Sequence, residues 1–143
     1  MKSSNFGYTA MTSRTLQFCL SAIFLLLGAW CLLFPGMVVR IAFRPELATV
    51  TEQARFLMGC FGAQAVLCGT ILATARFTPM TFLVFGLVGS VPFFVFNVWF
   101  WLIEPVLNSW MLLDLAGNVG ILVTGIWGWR LALRERLSPE LTK

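Results

Sequence analysis

The chain has 143 residues, of which 59% are hydrophobic, 15% aromatic and 11% charged, and its mean hydropathy is +0.86. Soluble globular proteins carry roughly 25% charged residues because their surface faces water. This composition therefore excludes an ordinary soluble domain and indicates a surface that mostly faces lipid. At about 20 residues per crossing, four membrane-spanning helices would use roughly 80 to 90 residues, which leaves no room for a separate soluble domain.

Several residue types and motifs on which catalytic and metal sites depend are missing from the sequence. It contains no histidine, which excludes Ser-His-Asp and Cys-His catalysis, a histidine-ligated haem and a histidine-rich zinc or copper site. It has no glycine-rich phosphate loop and no EF-hand pattern. The sequence therefore indicates no metal site and no cofactor, and it assigns no catalytic residue.

Four apolar runs predict membrane-spanning helices at approximately residues 15–34, 54–75, 79–103 and 110–132. Pro35 ends the first run, Thr49 and Glu52 have the capping-box spacing that starts the second helix, and Pro79 suits the first turn of the third. The apolar core of the first run, about 19 residues, exceeds the 7–15 residues of a signal peptide's hydrophobic region, so we expect it to remain as a helix. The predicted fold is all-α, a single membrane domain with four helices in an antiparallel bundle.

Four crossings place both termini and the loop around Arg76 on one side of the membrane. Seven basic residues belong to that side and three to the other; the seven are Lys2, Arg14, Arg76, Arg130, Arg134, Arg136 and Lys143, and the three are Arg40, Arg44 and Arg55. Because basic residues concentrate in cytoplasmic loops, this asymmetry predicts cytoplasmic termini. The net charge of +4 then reports topology, and no nucleic-acid partner is expected.

The longest loop contains an apolar segment, residues 37–44, with two arginines four positions apart. As a short helix on the membrane surface, this segment would direct Arg40 and Arg44 to lipid head groups while its apolar side chains dip inward. Simple anchoring accounts for this pattern. A site for an anion or a lipid phosphate is the alternative.

Small and polar residues share one face on each of the third and fourth helices. At 100° per residue, the third helix gathers Gly86, Gly89, Ser90, Phe93, Asn97, Trp101 and Glu104. The fourth gathers Trp110, Asp114, Gly117, Asn118, Ile121, Thr124, Gly125 and Gly128. Since small residues allow close helix approach and polar side chains avoid lipid, we expect both faces to lie inside the bundle.

The polar residues of these faces converge on the outer half of the bundle, and we expect the inner half to be almost purely apolar. At 1.5 Å per residue, Asn97 and Asn118 would lie about 10 Å below the outer surface and Asp114 about 6 Å. Glu104 would lie near the rim, and Arg55 is the expected counter-ion of Asp114. Three roles are open for this set: hydrogen bonding between helices, a ligand pocket, and contact with another subunit.

Two further polar residues complete the candidate ligand-binding set. Pro92 interrupts the third helix beside Ser90, which predicts a kink and a small cavity bounded by Ser90, Asn97 and Asn118. Gln64 points away from the small-residue face of the second helix. It would either border this cavity or contact a third helix or a second copy of the protein.

The four cysteines, Cys19, Cys31, Cys60 and Cys68, lie in apolar runs and form no C-x-x-C motif. In such surroundings a thiol usually packs as a small hydrophobe. Cys31 and Cys60 are expected at a similar depth, so the sequence leaves a disulfide between them open.

Two stretches of the sequence resemble a known family. Residues 26–35 (LLGAWCLLFP) and 55–69 (RFLMGCFGAQAVLCG) resemble the first two helices of small four-helix bacterial membrane proteins of the DoxX-like kind. In those proteins a glycine-rich first helix ends in proline and a second helix opens with arginine and a row of glycines. The resemblance covers about half of the chain. It implies a four-helix bundle of bacterial type, no particular reaction and no site residue.

These observations favour a small integral membrane protein that acts as an accessory or oligomer-forming subunit of a membrane complex, without catalysis of its own. Its partners would be the lipid bilayer and either other membrane subunits or further copies of itself. One alternative is a carrier or channel-like module for a small solute or lipid, which would use the outer polar set. Another is a lipid-modifying enzyme, with Asp114 or Glu104 as acid or base and Arg40, Arg44 or Arg55 binding phosphate.

Overall fold

A computed structural model describes residues 11–137 of the chain, and over this range the protein is built from helices. They are α1 (Ser13–Leu33), α2 (Pro35–Ala42), α3 (Glu52–Thr74), α4 (Pro79–Val88), α5 (Val91–Val98) and α6 (Leu112–Leu137). A π-helical segment, Trp99–Ile103, extends α5, and a 3-10 turn, Ser109–Met111, leads into α6. Lys2 and Lys143, which belong to the predicted charge asymmetry, lie outside the described residues.

Four helical stretches are long and apolar enough to cross a membrane: Ser13–Leu33, Glu52–Thr74, Pro79–Ile103 and Ser109–Leu137. This confirms the prediction of an all-α chain with four candidate spans. The fourth stretch runs to Leu137, beyond the predicted end at residue 132, because the helix continues through the charged residues Arg134, Glu135 and Arg136. We call the end of the bundle that holds residues 13 and 137 the inner end, and the opposite end the outer end.

Capping threonines mark where three of the helices begin. The side-chain oxygens of Thr12, Thr51 and Thr78 each accept a hydrogen bond from the backbone N–H three residues later. These bonds satisfy N–H groups that have no partner within the helix. The predicted capping box of Thr49 and Glu52 is wrong, because Thr51 is the cap and Glu52 is the first residue of α3.

The third span is interrupted between α4 and α5, at Gly89 and Ser90. Pro92 explains the position of this break. It has no N–H to donate, and its ring would collide with the carbonyl four residues earlier, which belongs to Val88, the last residue of α4. The predicted interruption at Pro92 is thus observed, and the hydroxyl of Ser90 donates to the carbonyl of Gly86 at 2.5 Å.

The helices pack as two close pairs, α1 with α3 and α4 with α6. Glycines permit the close approach. A Cβ atom on Gly28 would lie 2.7 Å from the backbone N of Val66, and one on Gly86 would lie 2.8 Å from the Cα of Gly125. The central parts of the small-residue faces of the third and fourth spans therefore lie inside the bundle, as the sequence predicted. At the outer ends of these faces the prediction is wrong, because Glu104 and Trp110 are exposed.

The two pairs meet through α1 and α6, whereas α3 and α4 make no extended contact. Leu20, Leu72 and Ile121 form the buried core at the meeting point. Between α3 and α4 an open groove of about 560 Å³ remains, lined by Cys68 of α3, Phe24 of α1 and apolar residues of α4. The bundle is therefore open on one side.

The inner half of the bundle contains buried polar side chains on α1. Gln17 and Ser21 are each 2% exposed. The Nε2 of Gln17 donates to the carbonyls of Leu72 at 2.5 Å and Ala75 at 2.8 Å, and the hydroxyl of Ser21 donates to that of Gly69 at 2.7 Å. The expectation of an almost purely apolar inner half is wrong, because α1 places side-chain donors against the last turns of α3, whose final carbonyls lack partners within their own helix.

Candidate functional site

A polar cluster lies where α5 approaches the start of α6, in the outer half of the bundle. The Nδ2 atoms of Asn97 and Asn118 donate to the Oδ2 of Asp114, at 3.0 and 2.9 Å. Asn97 Nδ2 also donates to the carbonyl of Phe93 at 2.9 Å. One carboxylate oxygen therefore accepts hydrogen bonds from two helices at once. We call these three residues, Asn97, Asp114 and Asn118, the amide–carboxylate cluster.

The local structure positions each member of the cluster. Asp114 and Asn118 are four residues apart on α6, so their side chains share one face of the helix. Asp114 is in the first turn of α6, where the helix dipole and the free N–H groups favour a negative charge. Asn97 reaches them because α5 packs against α6.

The cluster is largely shielded, and its hydrogen bonds converge on one oxygen. Asn97 is 8% exposed and Asn118 is 5% exposed, while Asp114 is partly buried. Every fully buried side-chain nitrogen or oxygen among the described residues has a hydrogen-bond partner. The two amide donors and their shared acceptor, the Oδ2 of Asp114, stabilise one arrangement of α5 on α6.

The expected ion pair between Arg55 and Asp114 is not formed. The Nη1 of Arg55 lies 3.6 Å from the Oε1 of Glu52, three residues earlier on α3, and both side chains are exposed. The prediction was wrong because Arg55 has a nearer carboxylate on its own helix. The charge of Asp114 is instead stabilised by amide donors and by the start of α6.

The other candidate residues lie apart from the cluster. Ser90 is fully buried, but its hydroxyl bonds within the third span rather than to Asn97. Glu104 is exposed beyond the π-helical segment, and Gln64 is exposed in the middle of α3. Of the seven predicted ligand-binding residues, the structure therefore joins Asn97, Asp114 and Asn118.

Helix α2, Pro35–Ala42, overlaps the predicted surface segment 37–44 but ends two residues earlier, and it is bonded to the α5–α6 connection. The backbone N of Arg44 donates to the carbonyl of Val106 at 3.0 Å, and that of Asn108 donates to the carbonyl of Ala42 at 2.8 Å. This antiparallel bridge fixes α2 at the outer end of the bundle. The side chains of Arg40 and Arg44 are exposed, and their contact with lipid head groups stays a prediction.

A groove of about 240 Å³ borders the amide–carboxylate cluster at Asn97. The rest of its lining is apolar and comes from Val98, Trp101, Leu102, Met111, Leu112 and Leu115. A molecule in this groove would therefore meet one amide and a wall of hydrocarbon. Such a surface suits an acyl chain better than a polar solute.

Among the described residues, the cysteine thiols and the carboxylates do not gather in one place. Cys31 is buried and Cys60 is exposed, and both are free thiols. Within residues 11–137, no three cysteine, aspartate or glutamate side chains come close enough together to hold a metal ion.

Two buried polar residues were missed by reasoning from the sequence, namely Gln17 and Ser21. A signal was present, because Arg14, Gln17 and Ser21 are spaced three and four apart and so share one face of α1. The guanidinium of Arg14 continues this row, donating to the carbonyls of Ala73 and Ala75 at 3.2 and 2.9 Å. The row joins α1 to the end of α3.

Comparison with known proteins yields no relative of this chain. The sequence matches no protein-family model, and neither a curated protein nor a solved structure matches it. The resemblance of residues 26–35 and 55–69 to DoxX-like proteins stays a prediction.

Proposed function

We propose that the protein is a multi-pass membrane protein that serves as an oligomer-forming or accessory subunit, without catalysis of its own. The observation that carries this proposal is the low burial of its spans. Between 17% and 33% of the apolar stretch of each span is buried inside the chain. Apolar helix surfaces that are exposed to this extent are covered by lipid and by other transmembrane helices.

The amide–carboxylate cluster supports a structural role for the polar residues. A general acid or base must reach the proton that it transfers. The Oδ2 of Asp114 is instead occupied by amide donors from Asn97 and Asn118. This arrangement holds α5 on α6, which is what a subunit needs in order to present fixed outer surfaces.

The open groove between α3 and α4 supports assembly with further helices. Its α4 side includes three side chains that are more than half exposed, Met80 at 64%, Val84 at 51% and Val88 at 66%. Because residues 11–137 leave this groove open, a neighbouring helix or a lipid chain would fill it.

The proposed topology has both termini in the cytoplasm. At the inner end, Arg14, Arg76, Arg130 and Arg134 fall on helix ends or in the α3–α4 loop, as the positive-inside rule requires of a cytoplasmic face. A bacterial inner membrane is the proposed location, and it rests on the resemblance to DoxX-like proteins.

Two measurements on the full chain test the proposal. One is alkaline carbonate extraction of membranes that contain it, and the other is native mass spectrometry of the gently solubilised protein. We expect the chain to resist alkaline carbonate and to appear in native mass spectrometry as a multiple of its mass or with larger partners. Release by carbonate would contradict membrane insertion. A monomer without any protein partner, across a series of mild detergents, would contradict the subunit role.

A carrier for a lipid or other apolar molecule is a second candidate, favoured by the groove beside Asn97. Transfer of a fluorescent lipid between vesicles that contain the purified protein would measure it. Loss of transfer in Leu102→Trp, which narrows the groove, with full activity in Arg55→Gln, would favour the carrier over the subunit. If the parent protein and both variants transfer the lipid only at the background rate, the carrier is excluded.

A further inference from the structure

One face of α3 has the residue spacing of a helix that pairs with another helix. Its members alternate at intervals of three and four, and all are exposed: Leu57, Cys60, Gln64, Leu67, Ile71 and Thr74. This is the a/d pattern of a left-handed helix pair. We call this set the α3 seam. It lies opposite to Gly62 and Gly69, which face α1, and α3 is the least buried of the four spans, at 17%.

The centre of the α3 seam is an amide without a partner. Gln64 is the thirteenth of the 23 residues of α3, so it lies at least about 15 Å from either helix end. Its side chain makes no hydrogen bond to any residue between 11 and 137. The hydroxyls of Thr70 and Thr74, by contrast, donate to the carbonyls four residues earlier, at 2.9 and 3.0 Å.

An amide at this depth that residues 11–137 leave unpaired requires a hydrogen-bonding partner from elsewhere. The hydrocarbon core offers no water, and an unpaired amide there is strongly disfavoured. Glutamine is one of the polar residues that join transmembrane helices by hydrogen bonds across their interface. The position of Gln64 thus indicates that another helix covers the α3 seam.

We propose that the α3 seam pairs with the α3 seam of a second copy of this chain, the two helices running parallel. The proposal rests on the membrane subunit role proposed above and names the partner. Copies of one chain insert with the same orientation, so their α3 helices have the same direction and the same depth. In such a pair each residue at an a or d position meets its counterpart.

The chemistry of Gln64 favours this self-pairing over a foreign helix. A carboxamide both donates and accepts hydrogen bonds, so two identical amides related by a two-fold axis satisfy each other. A different protein would need its own donor and acceptor at the same depth. The flanking positions, Leu57, Leu67 and Ile71, supply apolar packing above and below the amides. Cys60, a d position, is brought next to its counterpart.

Disulfide trapping in native membranes tests the pairing. In a chain whose only cysteine is Cys60 (Cys19→Ser, Cys31→Ala, Cys68→Ala), we expect mild oxidation with copper–phenanthroline to give a covalent dimer. The matched control moves the thiol to Gly59→Cys in the same background with Cys60→Ser. Gly59 directly precedes Cys60, lies 100° away from it around the helix and outside the arc of the α3 seam, and has open space at its Cβ position, so we expect little dimer.

The two outcomes of trapping that overturn the pairing are distinct from a failure of the proposed function. Absence of the Cys60 dimer in a chain that resists carbonate extraction overturns the self-pairing, and so do equal yields from Cys60 and Gly59→Cys. If a chain that gives no Cys60 dimer still associates with a different protein, the subunit role stands and only the proposed partner, a second copy, is wrong. If the chain is released by carbonate, the membrane role falls.

Substitution of Gln64 separates the amide from the rest of the α3 seam. We expect Gln64→Leu to weaken dimerisation in detergent roughly 3- to 30-fold, the range of hydrogen bonds between membrane helices converted to affinity. Gln64→Asn, which keeps a carboxamide, is expected to retain more of the dimer than Gln64→Leu. A Gln64→Leu chain that dimerises as tightly as the parent would show that the amide does not hold the copies together.

Discussion

The amide of Asn97 donates a hydrogen bond of 3.0 Å to the carboxylate of Asp114, which follows it by 17 residues in the chain. This bond crosses from the third span to the fourth. Because Asn118 donates to the same carboxylate oxygen, the acceptor is shared between the two helices. The carboxylate of the fourth span is therefore shielded. The part of the third span that follows the break, α5, is held against α6.

We expect Asn97→Val to lower the free energy of unfolding by about 1–2 kcal/mol, because the bond between the helices is lost while side-chain volume is nearly kept. A double-mutant cycle with Asp114→Val, measured by reversible unfolding in micelles, should give a coupling energy of about 0.5–2 kcal/mol. Arg55→Gln is the control and should leave stability unchanged, since Arg55 pairs with Glu52 on the surface. Purely additive losses in the cycle would contradict the proposed link.

Gly125 should tolerate no larger residue. A Cβ atom there would lie 2.5 Å from the Cα of Gly86, so Gly125→Ala must push α4 from α6 and should cost about 1–3 kcal/mol. Gly120, on the same helix, has open space around its Cβ position, and Gly120→Ala should be neutral or stabilise by up to about 1 kcal/mol. Thermal unfolding of the two variants side by side measures the difference, and equal melting temperatures would argue against close packing of α4 on α6.

Gln17 should matter for the stability of a single chain, whereas Gln64 should not. We expect Gln17→Leu to cost about 1–3 kcal/mol, since the carbonyl of Leu72 loses its side-chain donor inside the bundle. Gln64→Leu, measured at dilution where the chain is monomeric, should leave the unfolding free energy nearly unchanged, because the side chain of Gln64 makes no hydrogen bond within residues 11–137. A larger loss of stability in Gln64→Leu than in Gln17→Leu would contradict this assignment of the two amides.

The topology proposal predicts that both chain ends face the cytoplasm. A green fluorescent protein fused to the C-terminus should fluoresce in bacterial cells, and alkaline phosphatase fused there should be inactive. Fusion of the phosphatase after Leu47, in the α2–α3 loop, should be active because that loop lies at the opposite end of the bundle. An active phosphatase at the C-terminus would reverse the orientation.

Much of the fold could be predicted from the sequence because membrane spans have strong local signals. Twenty or so apolar residues in a row indicate a spanning helix, and a proline within one of them disrupts the helix near Val88 whatever surrounds it. The buried faces of the third and fourth spans could also be predicted, since Gly86 and Gly125 repeat with their polar neighbours at helical spacing. For the same reason, Asn97, Asp114 and Asn118 were recognised as one group.

The partners of individual side chains could not be predicted in this way. Arg55 was assigned to Asp114 by depth alone, yet a carboxylate three residues away on its own helix is nearer. Gln17 could not be recognised inside an apolar run, because its role depends on the position of the last carbonyl groups of α3. In both cases the deciding quantity is the distance between atoms of different turns or helices.

Composition and hydrophobic pattern by themselves determined that this protein is a chain of four apolar helices with small and polar faces turned inward, because those properties depend on neighbours in the sequence. Only the tertiary structure decided that α1 and α6 join two tight helix pairs, that α3 and α4 stay apart, and that Gln64 finds no hydrogen-bond partner within residues 11–137. Those facts follow from which glycines bring which backbones together, and helix contacts of that kind form between residues far apart in the chain.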